Sequence, residues 1–294
     1  PFSLWRKNPV RNVVSGITFD PSPYAPKNYH NLFQGFRVDE TQTLDIDMVS
    51  AEIEVKPLLD HIKYVWCKGN QQFYDFVLNW FSFIVQRPYK KIGVLLCVKS
   101  KEGSGKGIVF DYMRHILGGR LYAQINSLDA ITGKNNSILE GRLLINGDEV
   151  IWGGSVKDGN AMKGIITEEE IWIEEKYRAK YKVKNTTAFC MSSNEDRAMS
   201  AREGDRRSFG LELSNKWAGR QKSPAHKKYF CDISGCAHHG VAQDKVLAFA
   251  KILYNRDLTS FDVRNPPMTD FVSDQMERNM TPVQKFWYGM LHQG

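Results

Sequence analysis

The segment from Ile92 to Gly107 constrains the fold more than any other part of the chain. An apolar run that ends at Val98 passes into a glycine-rich loop, and the loop delivers Lys106 to the start of a helix-like segment. In phosphate-binding loops, glycines let backbone N–H groups surround a polyphosphate, the helix N-terminus adds partial positive charge, and a lysine reaches the outer phosphates. The pattern predicts a strand, a loop and a helix around a nucleotide, held by Gly103, Ser104, Gly105, Lys106, Gly107 and Ile108.

The loop departs from the usual pattern G-x-x-x-x-G-K-[ST] at two positions. Ser100 stands where the first glycine belongs, and Gly107 stands where a metal-binding hydroxyl belongs. An ordinary strand–turn–helix connection is therefore the alternative interpretation. If the loop does bind a nucleotide, Mg²⁺ lacks one usual ligand, so that water, Asp148 or a hydroxyl such as that of Thr132 or Ser104 must fill the position.

A second motif places two adjacent carboxylates at the end of a strand. The apolar run from Leu143 ends in Asp148 and Glu149. A nucleotide-hydrolysing site needs one carboxylate near Mg²⁺ and another that orients or deprotonates the attacking water. We assign the metal to Asp148 and the water to Glu149. The alternative is an acidic turn after a strand, which is common in isolation.

Two further motifs extend this pattern. The apolar segment from Thr187 ends in Asn194, whose amide suits the attacking water or the γ-phosphate, although a turn or capping asparagine is the alternative. Arg206 and Arg207 follow as a basic pair. Either suits an arginine finger, which stabilises charge on the transferred phosphoryl group by about 4–7 kcal/mol. A solvated basic turn is the alternative.

Basic residues recur at every second position between Glu174 and Lys184, which is the spacing of one face of an extended strand. Tyr177, Tyr181 and Val183 would occupy the other face. A turn near residues 178–179 would produce a hairpin with a basic tip and a basic second arm. A solubilising edge strand is the alternative, because lysines on an edge also deter aggregation. The residues predicted to contact nucleic acid here are Lys176, Tyr177, Arg178, Lys180 and Lys182.

The order of loop lysine, Asp-Glu, strand-end asparagine and Arg-Arg resembles that of the superfamily 3 helicases. The closer resemblance is to the helicase portion of phage and plasmid primase-helicases, and it covers nearly the whole chain. The segments that carry it are Trp5–Pro9, Ile17–Pro21, Tyr29–Phe36, Asp148–Gly154, Met162–Thr167, Ser192–Glu195, Tyr229–Phe230, Asn255–Leu258 and Arg264–Thr269.

This resemblance implies an α/β core of the AAA+ type, with a central parallel sheet flanked by helices, and a homo-hexameric ring. It implies ATP and Mg²⁺ at subunit interfaces, with Arg206 or Arg207 supplied by a neighbouring subunit. The hairpin, which lies between the carboxylate strand and the asparagine strand, would grip single-stranded DNA in a central channel, and we place Lys163 with it. The expected function is that of an ATP-dependent DNA helicase or translocase of viral replication.

The resemblance also bears on what surrounds the chain. Because the chain begins with Pro1 rather than Met, we expect a longer polypeptide with a primase or primase-polymerase module upstream. The expected location is the cytoplasm of a bacterial host. Two other functions stay open: a P-loop ATPase that remodels protein or packages DNA, and a nucleotide-dependent origin-binding module that does not unwind.

The flanks of the ATPase core have their own patterns. Residues 1–45 carry scattered prolines and aromatics and predict an irregular arm, whereas apolar residues at three and four spacing predict a helical collar over 46–90. The ATPase core is assigned to 91–215. Residues 216–294, with an amphipathic stretch from Lys245 to Tyr254, are assigned to a C-terminal helical region.

Composition limits the classes of protein. No run approaches the roughly eighteen apolar residues that a membrane span requires. The net charge of +7 fits a nucleic-acid partner but also many proteins without one. Five dispersed cysteines, an odd number, favour reduced thiols in a cytoplasm. Cys231 and Cys236 precede His238 and His239, but this spacing matches no usual zinc site, so we reject zinc there.

Overall fold

The computed structural model describes residues 2–9, 13–150, 156–196, 198, 199, 201, 204–220, 223–237 and 240–293. The α-helices are α1 (Phe2–Lys7), α2 (Met48–Glu54), α3 (Lys56–Asp60), α4 (Gln71–Gln86), α5 (Lys106–Leu117), α6 (Asp129–Thr132), α7 (Val156–Thr167), α8 (Pro224–Ser234), α9 (Gln243–Asn255), α10 (Asp270–Arg278) and α11 (Pro282–Gln293). The strands are β1 (Gly16–Thr18), β2 (Tyr29–Asn31), β3 (Leu95–Lys99), β4 (Tyr122–Ile125), β5 (Leu144–Asp148), β6 (Glu170–Ile173), β7 (Tyr181–Lys184), β8 (Ala188–Ser193) and β9 (Ser208–Glu212).

Five parallel strands form the central sheet in the order β4-β5-β8-β3-β9. Strand β3, which leads into the lysine loop, lies between β8 and β9. Apart from their last residues, β3 and β5 are buried along their length, and β8 is buried throughout, as expected when both faces of a parallel sheet are covered. The predicted α/β fold with a central parallel sheet flanked by helices is therefore confirmed.

One face of the sheet carries the larger hydrophobic core. Helices α4, α5 and α9 pack there with the π-helical segment His61–Trp66, and the aromatic side chains of Trp66, Trp80 and Phe110 are buried among them. Between residues 46 and 90 the structure has helices α2, α3 and α4 with the π-helical segment, and the aromatic side chains there are mostly buried in the core. Residues of the collar, the sheet and α9 share this core.

The opposite face of the sheet carries a second core. Its buried residues come from α7, the β6–β7 pair and α10, and they include Met162, Ile171, Ile173 and Phe271. Alternate residues of β3 point to the two cores, Leu96 to the first and Leu95 to the second, as the period of a strand requires. The β6–β7 hairpin is therefore packed onto the sheet along one of its faces.

The first 45 residues contain short elements without a core of their own. A three-residue parallel pair, β1 and β2, precedes a 3₁₀ turn at Glu40–Thr43. Phe19, Phe33 and Phe36 form successive edge-to-face contacts and pack against the larger core. Among the described residues, no helix combines the length and apolarity needed to cross a bilayer.

The expectation that all cysteines are reduced is wrong for one pair. Cys231 and Cys236 form a disulfide at the end of α8. Gly235 adopts φ 74° as the C-cap, and the turn brings the Cys236 N–H to donate to the Cys231 carbonyl at 2.9 Å. This local turn brings the two side chains together. The other three cysteines are free and buried, and His238 and His239 lie outside the described residues.

Candidate nucleotide site and nucleic-acid surface

The lysine loop has a backbone that only glycine adopts readily. Gly103 and Gly105 have φ of 79° and 88°, in the left-handed region. A Cβ atom on Gly105 would lie 2.5 Å from Cε1 of Phe230 and 2.7 Å from Cε1 of His61. The loop therefore passes tightly against two aromatic rings that come from distant parts of the chain.

Helix α5 begins at Lys106, directly after the loop, as predicted. Its N-cap, Gly105, offers no side chain, and its first turn contains no acidic residue. The first N–H groups of a helix lack partners within the helix, and they favour an anion where no side chain caps them. Gly107 faces open space, since a Cβ there would meet nothing within 4 Å. Steric crowding therefore does not explain the missing hydroxyl.

Four of the predicted site residues meet at the carboxyl edge of the sheet. Lys106 Nζ donates to Asn194 Oδ1 at 3.2 Å and lies 3.7 Å from Asp148 Oδ1 and 3.9 Å from Glu149 Oε1. Asn194 Nδ2 donates in turn to Glu149 Oε1 at 3.1 Å. Side chains from the ends of β5 and β8 thus converge on the lysine at the start of α5.

Asp148 is oriented by two polar residues that sequence reasoning missed. Ser192 Oγ donates to Asp148 Oδ1 at 2.7 Å, and Gln124 Nε2 donates to Asp148 Oδ2 at 3.2 Å. Ser192 pairs with Asp148 in the register of β5 and β8. That register depends on which strands are neighbours, so the sequence held no direct signal for either contact.

Glu149 differs from the adjacent Asp148 in backbone conformation and in side-chain exposure. Its φ is 56°, which is unusual for a residue other than glycine, and its side chain is 69% exposed. It borders a polar cleft of about 380 Å³ lined also by Asn126, Asp129 and Thr132. The exposed carboxylate and the adjoining space suit a group that handles solvent water.

The hydroxyls considered as replacements for the one missing at Gly107 are both engaged elsewhere. Ser104 Oγ donates to the Lys101 carbonyl, and Thr132 Oγ1 donates to the Leu128 carbonyl at 3.0 Å. Ser104 is also buried. Asp148 is therefore the better placed oxygen donor for a metal ion.

Two histidines hold the carbonyls of the lysine loop. His226 Nε2 donates to the Gly103 carbonyl at 3.1 Å, and His61 Nε2 donates to the Gly105 carbonyl at 3.1 Å. Since Nε2 of His61 carries the proton, its Nδ1 accepts from the Tyr229 hydroxyl at 3.0 Å. His61 is fully buried, and burial lowers its pKa to about 4. His61 is thus neutral at pH 7 and acts as a fixed donor.

An aromatic cluster from the C-terminal region supports these histidines. Trp217 stacks on Tyr229 with ring centroids 4.2 Å apart, and the His226 and Phe230 rings lie 4.5 Å apart. Tyr229 and Phe230 were singled out in the sequence only through the family resemblance. Their packing on a loop more than a hundred positions earlier in the chain had no signature in the sequence.

The paired arginines lie at the other end of the sheet. Leu95 N donates to the Arg207 carbonyl at 2.8 Å, so Arg206 and Arg207 stand at the amino ends of β3 and β9. The five-residue strand β3 separates them from the lysine loop by about 17 Å at about 3.3 Å per residue. Both arginines are exposed. Within one chain they do not reach Lys106.

The basic segment forms a hairpin, but its arms differ from the prediction. Strands β6 and β7 are antiparallel, and the connection between them runs through residues 174–180. The first arm is Glu170–Ile173, so that Lys176 and Arg178 belong to the connection. The strand periodicity wrongly places Tyr177 on the apolar face. Its side chain is fully exposed, and its backbone φ is 64°. A turn in that conformation interrupts the alternation.

The second arm agrees with the predicted alternation of faces. Tyr181 and Val183 pack against the second core, while Lys182 is exposed. Trp172, which lies directly opposite Lys182, is 56% exposed, and Lys182 Nζ lies 5.4 Å from the centre of its ring. Trp172 was missed in the sequence, although its period-two spacing from the buried Ile171 and Ile173 was a usable signal.

Carboxylates offset most of the hairpin's positive charge. The ion pairs are Arg178–Glu175 at 2.8 Å, Lys180–Glu174 at 2.8 Å, Lys182–Glu170 at 3.2 Å and Lys184–Asp20 at 3.8 Å. Such exposed pairs stabilise a fold by about 0–1 kcal/mol. The partially exposed Lys163 lies on α7 and takes part in none of these four pairs. Residues Ile151–Gly154, which are part of the matching segment after Glu149, lie outside the described residues.

Comparisons with known proteins cover the segments that build this site. Residues 98–207 match a family of unknown function, DUF5906, and this range includes the lysine loop, both carboxylates, Asn194 and the arginine pair. Over 144 residues the chain is 29% identical to a DNA primase-polymerase of Nitratiruptor phage NrS-1, a stretch that spans 47% of this chain and 19% of that protein.

Solved structures of the C-terminal region of NrS-1 share the fold. The apo structure matches with a TM-score of 0.72 at 20% identity, over 93% of this chain and 62% of that one. Its A form matches with a TM-score of 0.71, at the same identity and coverage. The chain thus spans about a fifth of the phage protein and less than two thirds of its solved C-terminal region.

Proposed function

We propose that this chain is the ATP-hydrolysing motor of a phage replication protein, a helicase or translocase of the superfamily 3 type. The observation that carries the proposal is the meeting of Lys106, Asp148, Glu149 and Asn194 within 4 Å at the end of a parallel sheet, beside an uncapped helix N-terminus. Ligands of open α/β sheets bind at this edge. Similarity to a phage primase-polymerase supports a role in replication.

The loop and Lys106 would hold the phosphates. The first N–H groups of α5 and the ammonium of Lys106 belong to the same helix start, and the left-handed glycines give the loop the backbone that packs against Phe230 and His61. His61 and His226 fix the carbonyls of Gly105 and Gly103. A loop held in this way binds an anion with little reorganisation.

Asp148 is the residue that would hold Mg²⁺. It is a hard oxygen donor whose orientation is set by Ser192 and Gln124, and Mg²⁺ in such sites takes one or two carboxylates with phosphate and water. No cluster of three or more acidic, histidine or cysteine side chains suited to a metal occurs in the described part of the chain, which fits a site completed by the substrate. Bound Mg²⁺ would supply charge neutralisation at the phosphates.

Glu149 would accept a proton from the attacking water. Its exposed carboxylate borders a cleft that admits water, and Asn194 donates to the same carboxylate oxygen. Asn194 thus touches both the lysine that would sense the γ-phosphate and the carboxylate that would activate water. This contact links nucleotide state to the end of β8.

A ring of subunits would complete the site. Arg206 and Arg207 lie a strand length from Lys106 in the same chain, so a finger role requires a neighbouring copy. A hexameric AAA+ ring, which the resemblance implies, would meet this requirement. The hairpin would then contact single-stranded DNA, with Trp172 as a stacking platform beside Lys182.

ATP hydrolysis, measured with and without single-stranded DNA, tests the proposal. Stimulated turnover in the wild type supports the motor. We expect Lys106→Ala to abolish turnover, whereas Lys101→Ala, at an exposed lysine of the same loop, should leave it near the wild-type rate. Turnover that ignores DNA would instead support the remodelling or packaging ATPase. An inactive but folded wild type would support the origin-binding module, and unchanged turnover in Lys106→Ala would end the proposal.

A further inference from the structure

A second cleft lies at the edge of the sheet opposite to the lysine loop. It has a volume of about 480 Å³ and opens at the amino ends of β3 and β8, where Lys91 and Asn185 precede the strands. Lys184, at the end of β7, lines it too. The end of β7 at Lys184 therefore forms one wall of the cleft. The cleft lies about one strand length from the candidate nucleotide site.

Lys91 is built into this cleft by hydrogen bonds. Its Nζ donates to Asn185 Oδ1 at 2.9 Å and to the Thr187 carbonyl at 2.7 Å, and it lies 5.1 Å from the centre of the Phe189 ring. Burial lowers the pKa of Lys91 well below its ordinary value. Asn185 is fixed in turn, because its Nδ2 donates to the Ile165 carbonyl at 2.7 Å. Lys91 therefore connects Asn185 to the Thr187 carbonyl inside the wall of the cleft and does not supply a charge to a ligand.

Positive side chains outnumber carboxylates in the lining. Besides the buried Lys91, the basic residues are Lys90, Lys184 and Arg264, and the carboxylates are Glu169 and Asp262. Among the ion pairs of the described residues, Lys184 is the only one of these three cations to appear, at 3.8 Å from Asp20. Lys90 and Arg264 are exposed. This surface differs from the hairpin tip, where carboxylates offset the lysines.

The cleft also offers aromatic surface and continuity with the hairpin. Tyr89 and Phe261 line it and are partly buried. Lys184 belongs both to the cleft and to the exposed face of β7 that carries Lys182. Grooves that bind single-stranded nucleic acid combine cations for the backbone with aromatic rings for the bases. A free phosphate ion would use only a small part of such a volume.

We propose that this cleft binds the phosphodiester backbone of single-stranded nucleic acid, as a continuation of the exposed face of the hairpin. Lys90, Lys184 and Arg264 contact phosphates, and Tyr89 packs against a base. The proposal deepens the DNA binding that we assign to the proposed function, because it names a surface that the hairpin prediction did not include.

The test compares two double variants of equal charge change. Lys90→Ala with Arg264→Ala removes two exposed cations of the cleft, and Lys27→Ala with Lys285→Ala removes two exposed cations from the arm and from α11. Affinity for a labelled single-stranded oligonucleotide is measured by fluorescence anisotropy from low to high salt. We expect the slope of log K against log salt to fall by about 1.4 in the cleft variant, since each lost phosphate contact removes about 0.7.

Affinity of the cleft variant at 0.1 M salt should fall on the order of tenfold, and the control variant should bind as the wild type does. Equal losses in both variants, or no loss in the cleft variant, would overturn the proposal. Competition by inorganic phosphate or by an acidic peptide as strong as that by unlabelled oligonucleotide would also overturn it, because the cleft would then be a general anion site. As a second readout, an iodouracil oligonucleotide should cross-link within residues 83–91 or 261–264.

Failure of this proposal is distinguishable from failure of the proposed function. Both double variants keep the lysine loop and its carboxylates, so ATP turnover without DNA should match that of the wild type. A wild type that hydrolyses ATP and binds DNA, with a cleft variant that binds equally well, would refute the cleft alone. A wild type without DNA binding would refute the DNA role of the proposed function as well.

Discussion

The lysine loop and the basic hairpin both stood out in the sequence, but the two regions differ in how far their contacts in the structure match the predicted ones. At the loop, Lys106 meets the carboxylates and the amide that its motif order predicts. At the hairpin, carboxylates from Glu170, Glu174 and Glu175 offset the cations. A site built from backbone shape and strand ends follows from local sequence, whereas the net charge of a surface depends on every neighbour.

Loss of the exposed carboxylate that follows β5 and faces the lysine loop should give the largest of the effects compared here. We expect Glu149→Gln to lower ATP turnover by about 10²–10⁴, because general-base catalysis contributes that factor, while nucleotide binding persists. Steady-state turnover and the binding of a fluorescent nucleotide measure the two quantities separately. Glu102→Gln, at an exposed glutamate of the lysine loop, is the control of equal charge change. Equal turnover in both variants would remove Glu149 from the chemistry and weaken the contrast with the hairpin.

The buried histidine behind the loop predicts a pH dependence of stability. The pKa of His61 is about 4 in the folded state against 6.5 for an ordinary histidine, so the unfolded state binds the proton more tightly. Stability from this group is therefore full above pH 6.5 and is lost as pH falls from 6.5 towards 4. The loss amounts to about 3 kcal/mol, at 1.36 kcal/mol per pH unit.

Urea unfolding of the wild type and of His61→Gln across this pH range isolates the contribution. Glutamine retains a side-chain N–H for the Gly105 carbonyl but does not titrate. The difference in free energy of unfolding between the two proteins should shrink as pH falls from 6.5 to 4. A difference that stays constant with pH would show that the pKa of His61 is not lowered in the folded state, and the prediction would be wrong.

Much of the candidate nucleotide site was predictable because it depends on strand ends. Asp148 and Asn194 follow apolar runs, and the carboxyl ends of parallel strands meet at one edge, so their proximity to Lys106 required only the correct strand order. His61 and Tyr229 are different: their contact joins residues 168 positions apart and depends on how helices pack on the sheet. No local pattern reports such packing.

The hairpin shows a second limit of sequence reasoning. Period-two spacing correctly assigned the faces of Tyr181 and Lys182, but it was extended through Tyr177, where the chain turns. The pairing of Lys182 with Glu170 follows from the antiparallel register, which became known only with the position of the turn. The disulfide of Cys231 likewise depends on a left-handed turn.

The exposed tryptophan of the hairpin should matter more for DNA than the paired cations around it. Trp172→Ala is expected to weaken single-stranded DNA binding by about 1–3 kcal/mol, the contribution of one stacked base. Trp287→Ala removes another exposed tryptophan, 60% accessible on α11, and is the matched control. Anisotropy titration at fixed salt measures both. Equal affinities in the two variants would leave the hairpin without a stacking role and favour the reading of β6–β7 as a packed edge.

The smallest effect is expected where a carboxylate is removed from the hairpin. Glu174→Gln releases Lys180 from a 2.8 Å ion pair, and we expect DNA affinity to rise about 2–5-fold at low salt, because exposed pairs contribute about 0.2–1 kcal/mol. The free energy of unfolding should change by less than about 0.5 kcal/mol. Glu52→Gln on α2 removes an exposed carboxylate far from the hairpin and controls for net charge. If Glu52→Gln raises affinity as much, the ion pair does not restrain Lys180, and long-range charge alone governs how the hairpin meets DNA.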